Sequence, residues 1–159
     1  MNVYKLSAKN CMSHLLLKDT FDNFSFIEGE ITTFNKFTIS GFLQEDFFDE
    51  KPEETYSRWN KTRDFCFQII RGKRTPLGFK IVLALPEDQI PYFLTAHGLT
   101  GYRPEEIRGL YLNFHYDGHH LQCITGTSLN TFTMDKSIER EWDQEVKNIL
   151  KSRSIEGDY

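Results

Sequence analysis

The amino-acid sequence predicts one α+β domain in which antiparallel β-hairpins pack against helices and a C-terminal helix closes the core. Three observations predict this fold. The length of 159 residues suits one domain of ordinary size. Alternating apolar and polar residues occur in paired segments, as in hairpins. The apolar residues nearest the C-terminus recur at helical spacing. Hairpins outnumber the plausible parallel crossovers, which disfavours a doubly wound sheet. We place the domain at residues 1–151 and expect a polar tail at 152–159.

The N-terminal part of the chain predicts a strand, a helix and a hairpin. Residues 3–7 suit a short strand, and the apolar residues of 8–16 then recur at helical spacing. Apolar and polar residues alternate over 24–32 and again over 36–43, with the turn-forming Asn35 between them, which indicates a hairpin. The acidic, proline-containing stretch that follows is expected to form a long loop.

The middle of the chain predicts helices separated by a strand. Residues 65–70 form an apolar stripe at helical spacing that ends at Gly72, a residue well placed to follow a helix C-terminus. A strand is the alternative for so short an apolar run. Residues 79–85 suit a strand and 88–97 a helix with its proline in the first turn, and Pro104 opens another short helix.

The clearest local signal is a hairpin in the last third of the chain. Residues 110–116 alternate between apolar and polar, and Asp117-Gly118 suits a two-residue turn. Such a turn pairs His115 with His120 across the two strands. One face of this hairpin is then apolar and suits the core: it comprises Leu112, Phe114, Leu121 and Cys123.

The C-terminal part predicts a turn, a strand and an amphipathic helix. Residues 125–128 suit a turn and 130–134 a short strand. The apolar residues of the final helix recur at helical spacing: they are Ile138, Trp142, Val146, Ile149 and Leu150. We expect this helix to bury Trp142, Val146 and Ile149 against a sheet.

The composition excludes several classes of protein. The apolar runs are too short for a transmembrane helix, residues 1–5 do not begin a signal peptide, and no membrane partner is expected. The three cysteines are odd in number and widely spaced, which is typical of free thiols in a reducing cytosol. The formal net charge of −4 by itself indicates no class of partner. No P-loop or GxGxxG glycine pattern occurs, so no cofactor is expected.

The charge is unevenly spread along the chain. Residues 44–56 carry six acidic residues and one lysine, whereas residues 58–80 carry seven basic residues and one acidic residue. Within the basic segment, Arg71, Lys73 and Arg74 fall within four positions. These side chains suit a phosphate-containing ligand or nucleic acid, because an arginine fork holds two phosphate oxygens and a lysine supplies a point charge.

Two alternatives to ligand binding stay open for these cations. Cations at a helix C-terminus complement its exposed carbonyl groups, and the acidic segment offers intramolecular partners in Glu45, Asp46, Asp49 and Glu50.

The 14 phenylalanines also suit two roles. Aromatic side chains pack protein cores, and beside cations they stack on the bases of single strands.

The catalytic candidates centre on His115 and His120. Cross-strand neighbours can place both imidazoles on one metal ion, although a zinc site requires at least three protein ligands. A small hydrolase that uses both histidines with Asp117 is therefore the alternative to a non-catalytic binding module.

Cys66, flanked by two phenylalanines, suits a buried hydrophobic residue more than a nucleophile. Residues 125–128 suit a plain turn more than a phosphate-binding loop.

Six short segments together resemble an uncharacterised family of small single-domain proteins from clostridial-type Gram-positive bacteria. The segments are Ile31-Thr32-Thr33-Phe34-Asn35, Arg71-Gly72-Lys73-Arg74-Thr75-Pro76, Phe79-Lys80-Ile81-Val82-Leu83, Tyr116-Asp117-Gly118, Thr125-Gly126-Thr127-Ser128 and Glu141-Trp142-Asp143. The resemblance covers nearly the whole chain and implies a bacterial, cytosolic protein. It implies no functional residue, because the family has no assigned activity. The order of the predicted elements is also similar to one domain of DNA sliding clamps, from which the helices expected after Leu85 and at the C-terminus depart.

Overall fold

Seven strands form one antiparallel sheet. The computed structural model describes residues 1–159 and contains the strands β1 (Val3–Leu6), β2 (Ser25–Thr32), β3 (Lys36–Ser40), β4 (Gly78–Ala84), β5 (Ile107–Tyr116), β6 (Leu121–Leu129) and β7 (Gly157–Asp158). Their order across the sheet is β3-β2-β4-β5-β6-β1-β7. Every neighbouring pair of strands is antiparallel.

Four α-helices complete the fold. They are α1 (Ala8–Met12), α2 (Trp59–Ile70), α3 (Ile90–Ala96) and α4 (Ser137–Ser152). A π-helix at Ser13–Leu17 continues α1, and short 3-10 turns at Glu87–Gln89 and Pro104–Glu106 precede α3 and β5. The helix expected at residues 65–70 is thus confirmed within the longer α2, and the strand alternative for that apolar run is wrong.

The helices cover one face of the sheet. Phe26 of β2 packs on Trp59 of α2 with 5.3 Å between ring centroids, and the hydroxyl of Thr125 on β6 donates to a carboxylate oxygen of Asp143 on α4. The strand pairings place Phe26 and Thr125 on the same side through β4 and β5, since directly paired residues share a face. The predicted α+β domain with antiparallel hairpins packed against helices is therefore confirmed.

The C-terminal helix closes the core as expected. Trp142 and Val146 of α4 are fully buried and Ile149 is partly buried. The indole Nε1 of Trp142 donates a hydrogen bond of 3.0 Å to the carbonyl oxygen of Tyr111 on β5, so the largest side chain of α4 also has a polar partner on the sheet. The burial prediction is confirmed for Trp142 and Val146 and holds in part for Ile149.

Four residues lie between β5 and β6, and the turn predicted at Asp117-Gly118 is wrong in position. The N–H of Asp117 donates to the carbonyl of His120 at 3.2 Å, so the tip of the turn is Gly118-His119. Tyr116 pairs with Leu121 and His115 with Gln122. The carboxylate of Asp117 favours this position, because its Oδ1 accepts backbone N–H bonds from His119 at 2.9 Å and from His120 at 2.7 Å. The register moves by two residues, which preserves the predicted apolar face and removes the His115–His120 pair.

Three expectations near the C-terminus are also wrong. Residues 125–128 lie inside β6 and form no turn, while residues 130–134 form no strand. The expected polar tail at 152–159 is part of the domain, because Gly157 and Asp158 form β7 against β1 and Ile155 is buried. Alternation could not reveal these features. Thr127 and Ser128 occupy half-buried positions in β6, and the C-terminal residues are held by Ile155 together with backbone pairing to the distant β1.

Gly72 does not end α2 in the way the sequence suggests. Helix α2 closes on Arg71, whose backbone is extended at φ −64° and ψ 143°, and whose N–H donates to the carbonyl of Phe67. Among the glycines, only Gly98 and Gly118 have a positive φ. The chain leaves α2 in an ordinary extended conformation, so no left-handed residue is needed there.

Replacing Gly72 with alanine is therefore expected to raise the free energy of unfolding by about 0.4–1 kcal/mol. An added Cβ at Gly72 meets no atom within 4 Å, and alanine restricts the unfolded chain. Urea unfolding of the Gly72→Ala variant measures the change. Gly118→Ala is the matched control and is expected to destabilise, since Gly118 has φ 97° and its added Cβ would lie 2.9 Å from the carbonyl oxygen of Leu77. A destabilised Gly72→Ala variant would contradict this account of the helix end.

Candidate functional site

Three connections meet at one end of the sheet. Gly78, the first residue of β4, pairs with Thr32 at the end of β2, and Phe79 pairs with Tyr116 at the end of β5. The loop at 71–77 therefore shares this end with the turns at 33–35 and 117–120. Two contacts join them: the N–H of Leu77 donates to the carbonyl of Thr32 at 2.9 Å, and Gly118 lies against the carbonyl of Leu77.

We call this region the basic end, defined by Arg71, Lys73, Arg74, His119 and His120. All five residues are exposed. Oδ1 of the neighbouring Asp117 carboxylate accepts two backbone N–H bonds of its own turn. Sequence spacing located the three cations, and the fold adds the two histidines.

The acidic segment at 44–56 lies at the opposite end of the sheet. It is anchored where β2 begins and β3 ends, since the N–H of Leu43 donates to the carbonyl of Thr55 at 3.0 Å and the N–H of Ser57 donates to that of Gly41 at 2.9 Å. Strand β4 has seven residues, so it separates the two ends by roughly 20 Å at about 3.4 Å per residue.

This separation decides which basic residues are neutralised within the chain. Arg58 pairs with Glu54 of the acidic segment at 2.6 Å, and Arg63 pairs with Asp22 at 2.8 Å. Arg71, Lys73 and Arg74 take part in no ion pair and no side-chain hydrogen bond. Intramolecular neutralisation therefore accounts for Arg58 and is wrong for the three cations of the basic end.

The same three side chains form no direct contact with the end of α2, although Arg71 is the residue at which that helix closes. A cation near a helix C-terminus is stabilised by the exposed carbonyl groups of the last turn. None of the three donates a hydrogen bond to a carbonyl of α2, and the segment from Arg71 to Thr75 is exposed throughout. Their charge is available to solvent.

An exposed aromatic ring stands beside the basic end. Phe34, in the turn between β2 and β3, is 87% exposed and packs edge-to-face with Phe37, with 6.0 Å between ring centroids. Leu77 of the neighbouring loop is 68% exposed. The sequence shows only that an aromatic residue, Phe34, directly precedes the turn-forming Asn35. Its position beside the cations could not be predicted, because the cationic loop lies about 40 residues further along the chain.

The histidines of the hydrolase alternative are not brought together as a pair. His115 lies on the helix-free face of β5 between Lys80 and Gln122, whereas His120 lies in the turn. No group of three or more His, Cys, Asp and Glu side chains could hold a metal ion. Asp117 contacts backbone groups of the turn and no imidazole.

The pKa of Asp117 is expected to be lower in the folded protein than in an unfolded chain. The N–H groups of His120, first, and of His119 stabilise its carboxylate and lower its pKa. Because the folded pKa is depressed, the stabilisation is present above the unfolded value of about 4 and is lost as pH falls through the folded value. An NMR titration of the Asp117 carboxyl carbon, beside an unstructured peptide spanning residues 114–123, measures the shift. Equal values in protein and peptide would contradict the turn geometry.

The three cysteines are buried and free. Burial raises the pKa of Cys11 and of Cys66 to about 12 and that of Cys123 well above its usual value. A thiol becomes a good nucleophile when its pKa is lowered, so the interpretation of Cys66 as a buried hydrophobic residue fits its surroundings.

A disulfide reagent such as DTNB is expected to label none of the three thiols in the folded protein and all three in denaturant. The reason is that in the native state the thiols stay protonated and are buried away from the reagent. Labelling is followed by absorbance and by mass spectrometry of the peptides. Rapid native labelling of Cys66 alone would identify it as a reactive residue and contradict this expectation.

Comparison with known proteins gives one match. The model of a family of unknown function, DUF5721, matches residues 14–158. No curated protein and no solved structure matches the chain. None of its helices combines the length and the apolar character needed to cross a membrane.

Proposed function

The chain belongs to DUF5721, a family of unknown function, and we propose that it is a non-catalytic binding module that takes nucleic acid at its basic end. One observation carries the proposal: Arg71, Lys73 and Arg74 are exposed within four residues and unpaired, while the acidic segment lies at the other end of the sheet. Arginine forks bind phosphate oxygens in pairs, and a flexible lysine adds a point charge.

The exposed Phe34 favours single-stranded over duplex nucleic acid. A base can stack on an aromatic face wherever cations hold the neighbouring phosphates, and Phe34 lies in the turn next to the cationic loop. The flanking Leu77 adds apolar surface. Paired bases in a duplex offer no such free face, so the same ring would contribute nothing there.

The salt dependence of binding tests the cations. Fluorescence anisotropy with a labelled oligothymidine strand is measured over a series of salt concentrations for the wild type and for the triple variant Arg71→Ala, Lys73→Ala, Arg74→Ala. Each phosphate neutralised on a single strand contributes about −0.7 to the log–log slope. The triple variant is therefore expected to bind more weakly and to have a slope flatter by about two.

A matched control separates local contacts from net charge. The triple variant Lys9→Ala, Lys18→Ala, Arg140→Ala removes the same charge from exposed residues outside any ion pair, and it should retain the wild-type slope. Absence of wild-type binding at low salt, or an equal loss in both triple variants, would refute the proposal.

Phe34→Ala tests the stacking contact separately. Loss of one base–aromatic stack weakens binding by about 1–3 kcal/mol at every salt concentration, and it leaves the slope unchanged because no charge is removed. An equal effect of Phe34→Ala on duplex and single-stranded DNA would contradict the preference for single strands.

We also place the protein in the cytosol of a clostridial-type Gram-positive bacterium. The family resemblance of the six segments supports the source. The three buried free thiols support a reducing compartment. Fractionation of the native host with an antibody against the protein tests the location, and recovery from the culture medium would contradict it.

A further inference from the structure

A cavity of about 360 Å³ opens at the acidic end of the sheet, far from the basic end. It lies where β2 and β5 begin and β4 ends, and the acidic segment folds over it. Its apolar lining residues are Ile27, Ala84, Leu85, Pro86 and Ile90. The volume falls within the range of about 300–1,000 Å³ typical of small-molecule sites.

Two tyrosines form aromatic walls of this cavity. Tyr56 is braced edge-to-face by Phe42, with 5.9 Å between ring centroids, and the two residues also form a backbone bridge. Tyr111 lies back over Gly109, where an added Cβ would be only 2.2 Å from its Cζ. The glycine thus makes room for the ring, and neither phenol hydroxyl has a hydrogen-bond partner within the protein.

The charged groups of the cavity are only partly paired. Arg58 joins two walls, because its Nε donates to Glu54 at 2.6 Å and its Nη2 to Asp88 at 3.5 Å. Its Nη1 donates to the carbonyl of Asn23 at 2.6 Å, so this guanidinium is fully engaged. Glu53 and Glu87 line the cavity and have no ion-pair partner.

Arg108 is the only other cation of the lining, and its Nε donates to Asn130 at 3.2 Å. The lining therefore carries two carboxylates more than guanidiniums. Burial raises the pKa of Tyr111, which keeps its phenol neutral around pH 7. Arg108 forms no ion pair, so an anion entering the cavity would find one unpaired guanidinium and two unpaired carboxylates. A cation would find the two unpaired carboxylates and the aromatic rings.

We propose that this cavity binds a small organic amine, a primary ammonium group carried on a flat apolar body. The ammonium would lie near Glu53 and Glu87, where opposite charge attracts it, and near the tyrosine rings, whose faces attract cations. The apolar body would rest on the aliphatic floor. This site is independent of the basic end and takes a ligand of the opposite charge.

Two matched ligand sets test the charge preference. Tryptamine, tryptophol and indole-3-propionate share an indole body and differ in carrying a cation, a neutral alcohol or an anion; phenethylamine, 2-phenylethanol and 3-phenylpropionate do the same on a smaller body. NMR titration of the wild-type protein is expected to show the amine binding at least about fivefold more tightly than the alcohol in one set or both, with the carboxylate weakest. Absence of binding by both amines, or equal binding of amine and carboxylate, overturns the proposal.

Variants of the lining locate the bound amine. Glu53→Gln with Glu87→Gln is expected to weaken amine binding about fivefold or more for each charge removed, while leaving the alcohols unaffected. Glu156→Gln removes an exposed carboxylate outside the lining and should change nothing. If the double variant and this control bind the amines equally, the assignment of the carboxylates is wrong.

Gly109→Ala tests the aromatic wall while keeping both tyrosines. The added methyl group must displace the Tyr111 ring, so loss of amine binding is expected in a protein whose circular dichroism spectrum is native. Oligonucleotide binding at the basic end serves as the internal control and should be unchanged in every cavity variant. Unaltered amine binding in folded Gly109→Ala and Tyr111→Ala would overturn the proposed site.

Discussion

Replacing Trp59 with alanine is expected to lower the free energy of unfolding by about 3–5 kcal/mol, the cost typical of deleting a buried aromatic side chain. Trp59 opens α2, is fully buried and packs on Phe26 of β2. Its indole Nε1 donates a hydrogen bond of 2.8 Å to the carbonyl of Leu15, which alanine would leave without a partner. The side chain thus ties the N-terminal helical segment, α2 and the sheet together.

Guanidinium unfolding followed by circular dichroism measures this loss. Phe65→Ala on the same helix is the matched control, because Phe65 is 67% exposed and surface substitutions usually change stability by less than about 0.5 kcal/mol. Trp59→Phe should fall between the two, since it keeps apolar volume and loses the hydrogen bond. A loss below about 1 kcal/mol for Trp59→Ala would contradict its place in the core.

Replacing Gly41 with alanine is expected to destabilise the protein by about 3 kcal/mol or more, the upper range for forcing extra atoms into a packed interior. A Cβ at Gly41 would lie 1.8 Å from the carbonyl oxygen of Phe26, and this atom belongs to the backbone of β2. The clash can be relieved only by moving the chain where it enters the acidic segment.

The same substitution is expected to damage the cavity. Gly41 donates its N–H to the carbonyl of Ile27 at 2.8 Å and accepts the N–H of Ser57, so displacing it loosens the segment that carries Tyr56. Chemical unfolding and amine binding should therefore both change in Gly41→Ala. Gly101→Ala is the control, because its added Cβ meets no atom within 4 Å. Equal stability of the two variants would contradict the close approach at Gly41.

Much of the fold was predictable because its signals are local. The alternation in β2, β3 and β5 and the apolar stripe of α4 each follow from side chains that must face one core. The predictions are wrong where a single polar side chain or a partner distant in sequence determines the local structure. The carboxylate of Asp117 accepts two backbone N–H bonds and shifts the position of a turn. Strand β7 depends on pairing with β1 from the other end of the chain.

The candidate sites were less predictable than the fold. The cluster of Arg71, Lys73 and Arg74 is visible as spacing, but only the sheet topology shows that the acidic segment is out of their reach. The amine-binding cavity gives no sequence signal, since its walls come from segments joined through the paired ends of β2, β4 and β5. Residues such as Gly109 and Tyr111 are ordinary strand positions in the sequence, and their role depends on the space above the glycine.

The basic end and the acidic segment place opposite charges at the two ends of β4, although the net charge of the chain is only −4. Such a molecule rotates in the field of a charged surface before contact, so it would approach a polyanion with the loop at 71–77 leading. Orientation of this kind raises the rate of productive encounters more than the strength of the final complex. The orienting field is screened over the Debye length, which is about 8 Å at physiological ionic strength. Two oppositely charged loops lie at the two ends of one strand, β4. Their placement therefore affects the orientation and rate of ligand association as well as the affinity of the complex.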